Sequence, residues 1–225
     1  EIFPTPETVD EAAALLRQAA ARLGAPAAVA AGVTRKRRDI AALLPRRFSC
    51  PIYLENDAAL AGLGEAVAGT GRDFKIVAYL TVSTGVGGAR IVNGQIDRNK
   101  YGFEPGHQVI RAGETAQTLE NLVSGRALAA KFGCSAAEIT DPAVWQEAAR
   151  YLAIGLANTI LHWSPEVVVL GGRMMTGQPA IVLTDVEQAL ALPEIFPGRP
   201  KLVPAELGDT GGLSGALVYL RQKLG

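Results

Sequence analysis

The chain is poor in the side chains on which metal and redox chemistry usually rest. Its two cysteines, Cys50 and Cys134, are far apart and form no CxxC pair. A disulfide framework and a four-cysteine zinc site are therefore excluded, and a reducing, cytoplasmic setting is the default expectation. There are two histidines, His107 and His162. Aromatics make up 6% of the 225 residues against an apolar share of 48%, so the core has to come from Ala, Val, Leu and Ile. Neither sign of charge is in excess, with 22 Lys plus Arg against 22 Asp plus Glu. That balance removes the electrostatic reason to expect nucleic acid or a membrane surface as partner. No apolar run is long enough to span a membrane, and no secretory signal precedes the first helical pattern. The sequence opens on Glu1 rather than methionine, so either processing has removed something or N-terminal residues are expected outside the sequence given.

Glycine is abundant, at 25 residues, and much of it is clustered. Helical and strand-like segments alternate, which predicts an α/β class. Thr8-Val9-Asp10-Glu11 is a capping box opening a helix to about Leu23, with Gly24 as its stop. Ala27 to Val33 reads as a strand. The run Arg35-Lys36-Arg37-Arg38 is read as a solvated loop, because no aromatics are interleaved to stack on bases. Ile40 to Arg47 reads as a short helix, Pro51 to Leu54 as a strand and Asp57 to Ala68 as a helix. A buried strand is predicted over Lys75 to Ser83. A hairpin joins Ala89–Val92 to Gln95–Asp97 through Asn93-Gly94. Helical patterns cover Gln117 to Phe132, then Pro142 to Trp163 with Asp141 as N-cap. Val167 to Leu170 is a strand ending in Gly171-Gly172. A helix near Pro179 to Leu192, a strand at Lys201 to Ala205 and a helix over Leu213 to Lys223 complete the chain.

Four stretches could carry chemistry. Asn56-Asp57 ends a strand and opens a helix, at the carboxyl edge where α/β sheets bind ligands. There Asp57 can take a proton from a hydroxyl and Asn56 can both donate and accept; the competing reading is a plain helix cap. Ser83-Thr84-Gly85-Val86-Gly87-Gly88 lacks the lysine of a Walker loop and the spacing of a dinucleotide fingerprint. Its glycines still let amides converge on an anion, with the Thr84 hydroxyl as a further donor, unless the run is only a tight hairpin turn. Gly102-Phe103-Glu104-Pro105-Gly106-His107 sets an imidazole three residues from a carboxylate in a stiff loop, which could equally be plain surface. Glu120 complements a helix dipole unless it faces the same cleft as Glu104. His162, beside Trp163 near a helix end, is read as structural.

In this order the stretches resemble the ROK family of sugar kinases and sugar-responsive repressors. The matching motifs are Glu55-Asn56-Asp57-Ala58, the run from Ser83 to Gly88, Glu104-Pro105-Gly106-His107, Leu119-Glu120-Asn121-Leu122-Val123-Ser124-Gly125, and the glycine pair Gly171-Gly172 on the adenosine side. The resemblance spans about Pro51 to the C-terminus. It implies an actin-like, ribonuclease H-like ATPase fold of two α/β lobes, here with an incomplete N-terminal lobe. Residues 1–74 with the closing helix 212–225 would form one lobe and 75–211 the other. It further implies phosphoryl transfer from ATP with Mg2+ to a hexose or amino sugar, in a cytoplasmic homodimer. Asp57 would be the base. Asn56, Glu104, His107 and Glu120 would hold the sugar; ionised carboxylates are acceptors only and suit a polyol. Thr84, Gly85, Gly87, Gly88, Gly171 and Gly172 would hold the nucleotide. Transfer of this kind asks mainly for position and electrostatics.

The sequence departs from the family pattern in three places. The D-x-G-G-T phosphate loop is missing, the stretch from Gly32 to Asn56 is short and lacks its glycine-proline turn, and the zinc cysteines are replaced by Arg111-Ala112-Gly113-Glu114-Thr115-Ala116. The favoured expectation is that these segments exist outside the string; the other is a member that has lost them. Zinc is expected from the resemblance, but His107 alone cannot build a tetrahedral site. A non-catalytic sugar sensor of the same family is the alternative function, and an unrelated nucleotide-binding or interaction domain would need Asp57, Glu104 and Glu120 on different surfaces.

Overall fold

The computed structural model describes residues 8–24, 26–34, 46, 48–195 and 198–225. The basic run Arg35 to Arg38 and, Arg46 apart, the helix expected over Ile40 to Arg47 lie outside those residues. Helix α1 (Val9–Leu23) begins as its capping box demands. The Glu11 amide donates to Thr8 Oγ1 and the Thr8 amide to the Glu11 carboxylate, both at 3.2 Å. Gly24, at φ 91°, ends it. Its face of Val9, Ala12 and Ala13 packs on Val33, Ile52 and Leu54. These belong to or flank a parallel pair, β1 (Val29–Gly32) and β2 (Ile52–Glu55). Helix α2 (Asp57–Ala68) follows β2 after the single residue Asn56.

Next come β3 (Ile76–Val82), β4 (Val86–Val92) and β5 (Gln95–Ile96). The turn between β4 and β5 has positive φ at Asn93 and Gly94, the type I′ geometry that Asn-Gly favours. A small antiparallel ladder of β6 (Val109–Arg111) and β7 (Gln117–Thr118) precedes α3 (Leu119–Val123) and α4 (Gly125–Phe132). Then follow α5 (Pro142–Trp163), β8 (Val167–Gly171), α6 (Arg173–Thr176), α7 (Leu183–Ala189), β9 (Lys201–Pro204) and α8 (Gly211–Leu224).

The central sheet runs β5-β4-β3-β8-β9. Strands β3, β8 and β9 are parallel, and β4 lies antiparallel to both its neighbours. Alternation sorts the side chains between two cores. Val77 and Tyr79 of β3, Ala89 and Ile91 of β4, and Val167 and Val169 of β8 meet Ala59, Leu63 and Ala66 of α2. On the other face Ala78, Leu80, Val168 and Leu170 meet Leu152, Leu156 and Ile160 of α5. Burial on both faces explains why β8 reads as an unbroken apolar run.

Helix α8 returns to lie against α2. The approach is close because both helices carry glycine at the contact. A Cβ on Gly215 would overlap the Leu60 carbonyl, and one on Gly64 the Gly211 carbonyl. Beside this seam sits Glu65, 1% exposed. It accepts from the Thr70 amide at 3.2 Å and hydroxyl at 3.3 Å, and from the amides of Glu206 at 3.3 Å and Leu207 at 2.8 Å. One carboxylate thus ties the end of α2 to the segment that leads from β9 into α8. Nothing in the periodicity of α2 announces this.

Two expected helices change shape. The pattern over Gln117 to Phe132 begins as strand and then breaks at Ser124, whose extended backbone ends α3 while its hydroxyl caps α4. The helix near Pro179 to Leu192 shrinks to α7, because Ile181 is buried and its amide bonds back to Met174 at 2.7 Å.

Gly215→Ala is expected to lower stability by roughly 2–3 kcal/mol through forced separation of α2 and α8. Gly212→Ala, on the same helix with open space around it, should be neutral or gain up to about 1 kcal/mol. Equal urea midpoints for the two variants would contradict the interlock. Glu65→Gln turns an amide NH2 towards the N–H donors around it and should cost about 1–3 kcal/mol in the same measurement.

Candidate functional site

The junction of β2 and α2 is built around Asn56. Its backbone is extended and its Oδ1 accepts from the Ala59 amide at 3.0 Å, so it does cap the helix. Its own amide donates to Glu55 Oε1 at 2.8 Å, and Glu55 Oε2 accepts from the Tyr219 hydroxyl of α8 at 3.5 Å. Burial, and next the Glu55 carboxylate, raise the pKa of Tyr219. Asp57 opens α2 and stays exposed, with Oδ1 on the Ala58 amide at 2.9 Å. Gly32 of β1 lies against its backbone: a Cβ there would stand 3.1 Å from the Asp57 Cα.

Between β3 and β4 the turn proper is Ser83 to Gly85. Gly87 and Gly88 are ladder residues, opposite Thr81 and Leu80. The Ser83 and Thr84 carbonyls accept from the first amides of α4, Gly125 at 2.7 Å and Arg126 at 3.4 Å. A groove of about 840 Å³ opens beside this turn, lined by Ser83, Thr84, Arg126, Arg173 and Asp209 among others. It lies at the carboxyl ends of β3 and β8, the edge where ligands of parallel sheets bind. Gly171 ends β8, and Gly172, at φ 90°, turns the chain into α6 while close to the Val82 carbonyl and Thr81 Oγ1.

Glu104 and His107 stand at either end of a single 3-10 turn, with Oε2 and Nε2 4.0 Å apart. Glu120 sits elsewhere along the same edge. Its Oε2 accepts from the Val86 amide at 2.8 Å and its Oε1 pairs with Arg126.

These stretches meet at the start of β4. A Cβ on Gly85 would stand 2.6 Å from Glu120 Oε2, one on Gly87 3.1 Å from the Ala58 methyl, and one on Gly88 2.8 Å from Pro105. Gly106 in turn lies on Val86, where a Cβ would be 3.0 Å from the valine Cβ. The expected sugar ligands do not all share one hollow, however. Asn56 lines a space of about 130 Å³ with Glu55, Asn99 and Lys100. Glu104 lines another, of about 220 Å³, with Gln108, Asn158 and His162. Gly102 and Phe103 line both, so this short segment stands between them. Phe103 is braced there edge-to-face on Trp163, with ring centroids 4.8 Å apart.

Among the described residues no group of three or more His, Cys, Asp or Glu side chains could hold a metal. Residues 111–116 carry no thiol, and Cys50 and Cys134 are free. The loop bearing His107 is fastened by other means. Gln108 Nε2 donates to the Pro105 carbonyl at 2.8 Å, and the Leu119 amide to the Gln108 carbonyl at 3.0 Å.

Sequence reasoning passed over Arg126, although it directly follows the Ser124-Gly125 pair, and over Glu55 as a support for Asn56. It also passed over Tyr79. Burial raises the pKa of that phenol; a hydrogen bond with Thr81 opposes the shift, and the carboxylates of Glu65 and Asp57 add to it. Among the described residues no helix is long and apolar enough to cross a membrane.

The chain is 27% identical over 195 residues to a fructokinase of Pediococcus pentosaceus, covering 80% of this chain and 68% of that protein. It is 26% identical over 200 residues to a xylose repressor of Bacillus spizizenii, covering 76% and 50%. A Bacillus subtilis relative, 29% identical, is covered over 64% of its length, so the chain spans about two thirds or less of the curated relatives named here. The crystal structure of a ROK hexokinase from Thermus thermophilus superposes with a TM-score of 0.73 at 28% identity, over 99% of this chain and 91% of that one. The ROK family profile matches residues 27–223. With the profile, the relatives and the shared α/β architecture in agreement, the chain belongs to the ROK family.

Proposed function

We propose that this protein is an ATP-dependent kinase of a hexose or amino sugar. The observation that carries the reading is the meeting of three motifs on the first residues of β4, beside a groove large enough for a nucleotide. The similarity to the Pediococcus fructokinase and the Thermus hexokinase supports it.

In this reading the nucleotide enters as its magnesium complex and lies in the groove of Thr84, Arg126 and Arg173, with Asp209 as the carboxylate on its wall. The Thr84 and Gly85 amides face the phosphates. Gly87 and Gly88 act by admitting Ala58 and Pro105 closely, and Gly171-Gly172 by bringing α6 against the end of β3. Asn56, Glu104, His107 and Glu120 hold sugar hydroxyls, which requires the Gly102-Phe103 segment between the hollows of Asn56 and Glu104 to move aside. Asp57 keeps one oxygen on the Ala58 amide and takes the proton of the attacking hydroxyl with the other. That hydroxyl oxygen bonds to the γ-phosphorus, the bond to the β–γ bridging oxygen breaks, and ADP leaves. Little covalent work is asked of the protein, so orientation and charge do most of the catalysis. Residues 1–74 with 212–225 and residues 75–211 would be the two lobes, working as a homodimer. The packing of α8 on α2 and the Tyr219–Glu55–Asn56 chain favour grouping the last helix with the first lobe.

A second reading, a sugar sensor without turnover, is favoured by the similarity to the xylose repressor and by the engagement of Glu120 with Arg126. A coupled assay over hexoses and N-acetylhexosamines separates the two: sugar phosphate supports the kinase, and sugar binding without product supports the sensor. Asp57→Ala is expected to lower kcat about 10²- to 10⁴-fold while calorimetric sugar affinity changes little. Undiminished turnover in that variant would reject Asp57 as the base. Metal analysis of a protein of these 225 residues alone should find no stoichiometric zinc, and chelator treatment should leave its melting temperature unchanged.

A further inference from the structure

Arg126 stands between the two proposed substrate positions. It is the second residue of α4, and its amide reaches the Thr84 carbonyl at 3.4 Å. Its guanidinium pairs with Glu120 Oε1, while Glu120 Oε2 is held by the Val86 amide. The two partners differ in freedom: the Arg126 side chain is 53% exposed and that of Glu120 18%. Arg126 also lines the large groove, where Arg173 is the other cation. One side chain therefore faces the groove proposed for nucleotide while neutralising a carboxylate proposed for sugar.

A guanidinium binds carboxylate or phosphate through the same planar fork of donors. A phosphate brings more charge and more acceptor oxygens than Glu120 offers. Phosphate lodged at the Thr84 turn is within reach without backbone movement, because Arg126 is already anchored to that turn. Glu120 cannot follow, since its other oxygen is fixed on Val86.

We infer that Arg126 is a positioning residue that couples the substrate sites: it occupies Glu120 when the groove is empty, and nucleotide phosphate draws it off and frees Glu120 Oε1 for a sugar hydroxyl. The inference rests on the kinase reading above. Nucleotide then tightens sugar binding and sugar tightens nucleotide binding by the same factor.

The test is sugar affinity by calorimetry with and without Mg-ADP, using a hexose that the wild type phosphorylates. In the wild type ADP should tighten sugar binding about tenfold. In Arg126→Gln the ratio should fall to near one, with the nucleotide-free affinity equal to or tighter than that of the wild type, because Glu120 is already released. Arg126→Lys, which keeps charge without the fork, should fall between. Full coupling in Arg126→Gln, no coupling in the wild type, or equal weakening with and without ADP would each overturn the inference. The kinase reading is judged separately, by wild-type product. A wild type that makes sugar phosphate, beside an Arg126→Gln variant that couples normally, sinks only the role of Arg126.

Discussion

The missing side chains at the start of β4 are the constraint on which the site depends. Three of its first residues, counting the turn, are glycines. Their open faces are filled by Glu120, by Ala58 beside Asp57, and by Pro105 beside Glu104. Any Cβ there would push one of these elements outward. The elements come from separate segments of the chain, and all of them meet on this short length of backbone. Glycine here is less a hinge than a seat.

The seat would be useless if α2 could slide. Its position is set at the other end by the glycine seam with α8 and by the buried Glu65. An unpaired buried carboxylate would be costly, and here four donors satisfy it. Those donors come from the turn after α2 and from the approach to α8, so the last part of the chain holds a helix begun after residue 56. Tyr219 repeats the tie closer to the site, through Glu55. The charges along the cleft edge are arranged in the same economical way. Glu120 is held by the Val86 amide at one oxygen and by the Arg126 guanidinium at the other.

Much of the architecture was legible in residue order. The capping box at Thr8, the Asp57–Ala68 helix, the Asn93-Gly94 turn and the long helix from Pro142 to Trp163 all follow from local signals, and the structure has them. The break at Ser124 was not legible, because a capping serine inside a continuous helical pattern looks like an ordinary polar position. The reach of β4 back to Val86 was hidden for a similar reason: Gly87 and Gly88 look like turn residues when their ladder partners are unseen. The candidate residues were readable as types and in their order. Their grouping was not, and Phe103 standing between the hollows of Asn56 and Glu104 has no sequence signature at all.

By itself the sequence determined the α/β alternation, the bounds of the helices that carry clear caps, which faces are apolar, and membership of the ROK family, since these depend on neighbours along the chain and on an ordered set of motifs. Only the tertiary structure decided that Glu65 is buried, that Arg126 holds Glu120, and that α2, α3 and the Pro105 turn rest on one glycine-rich strand end. The physical reason is distance along the chain. Contacts such as Glu65 with Leu207 or Glu120 with Val86 join residues whose local sequences carry no trace of one another, and only packing brings them within hydrogen-bonding reach.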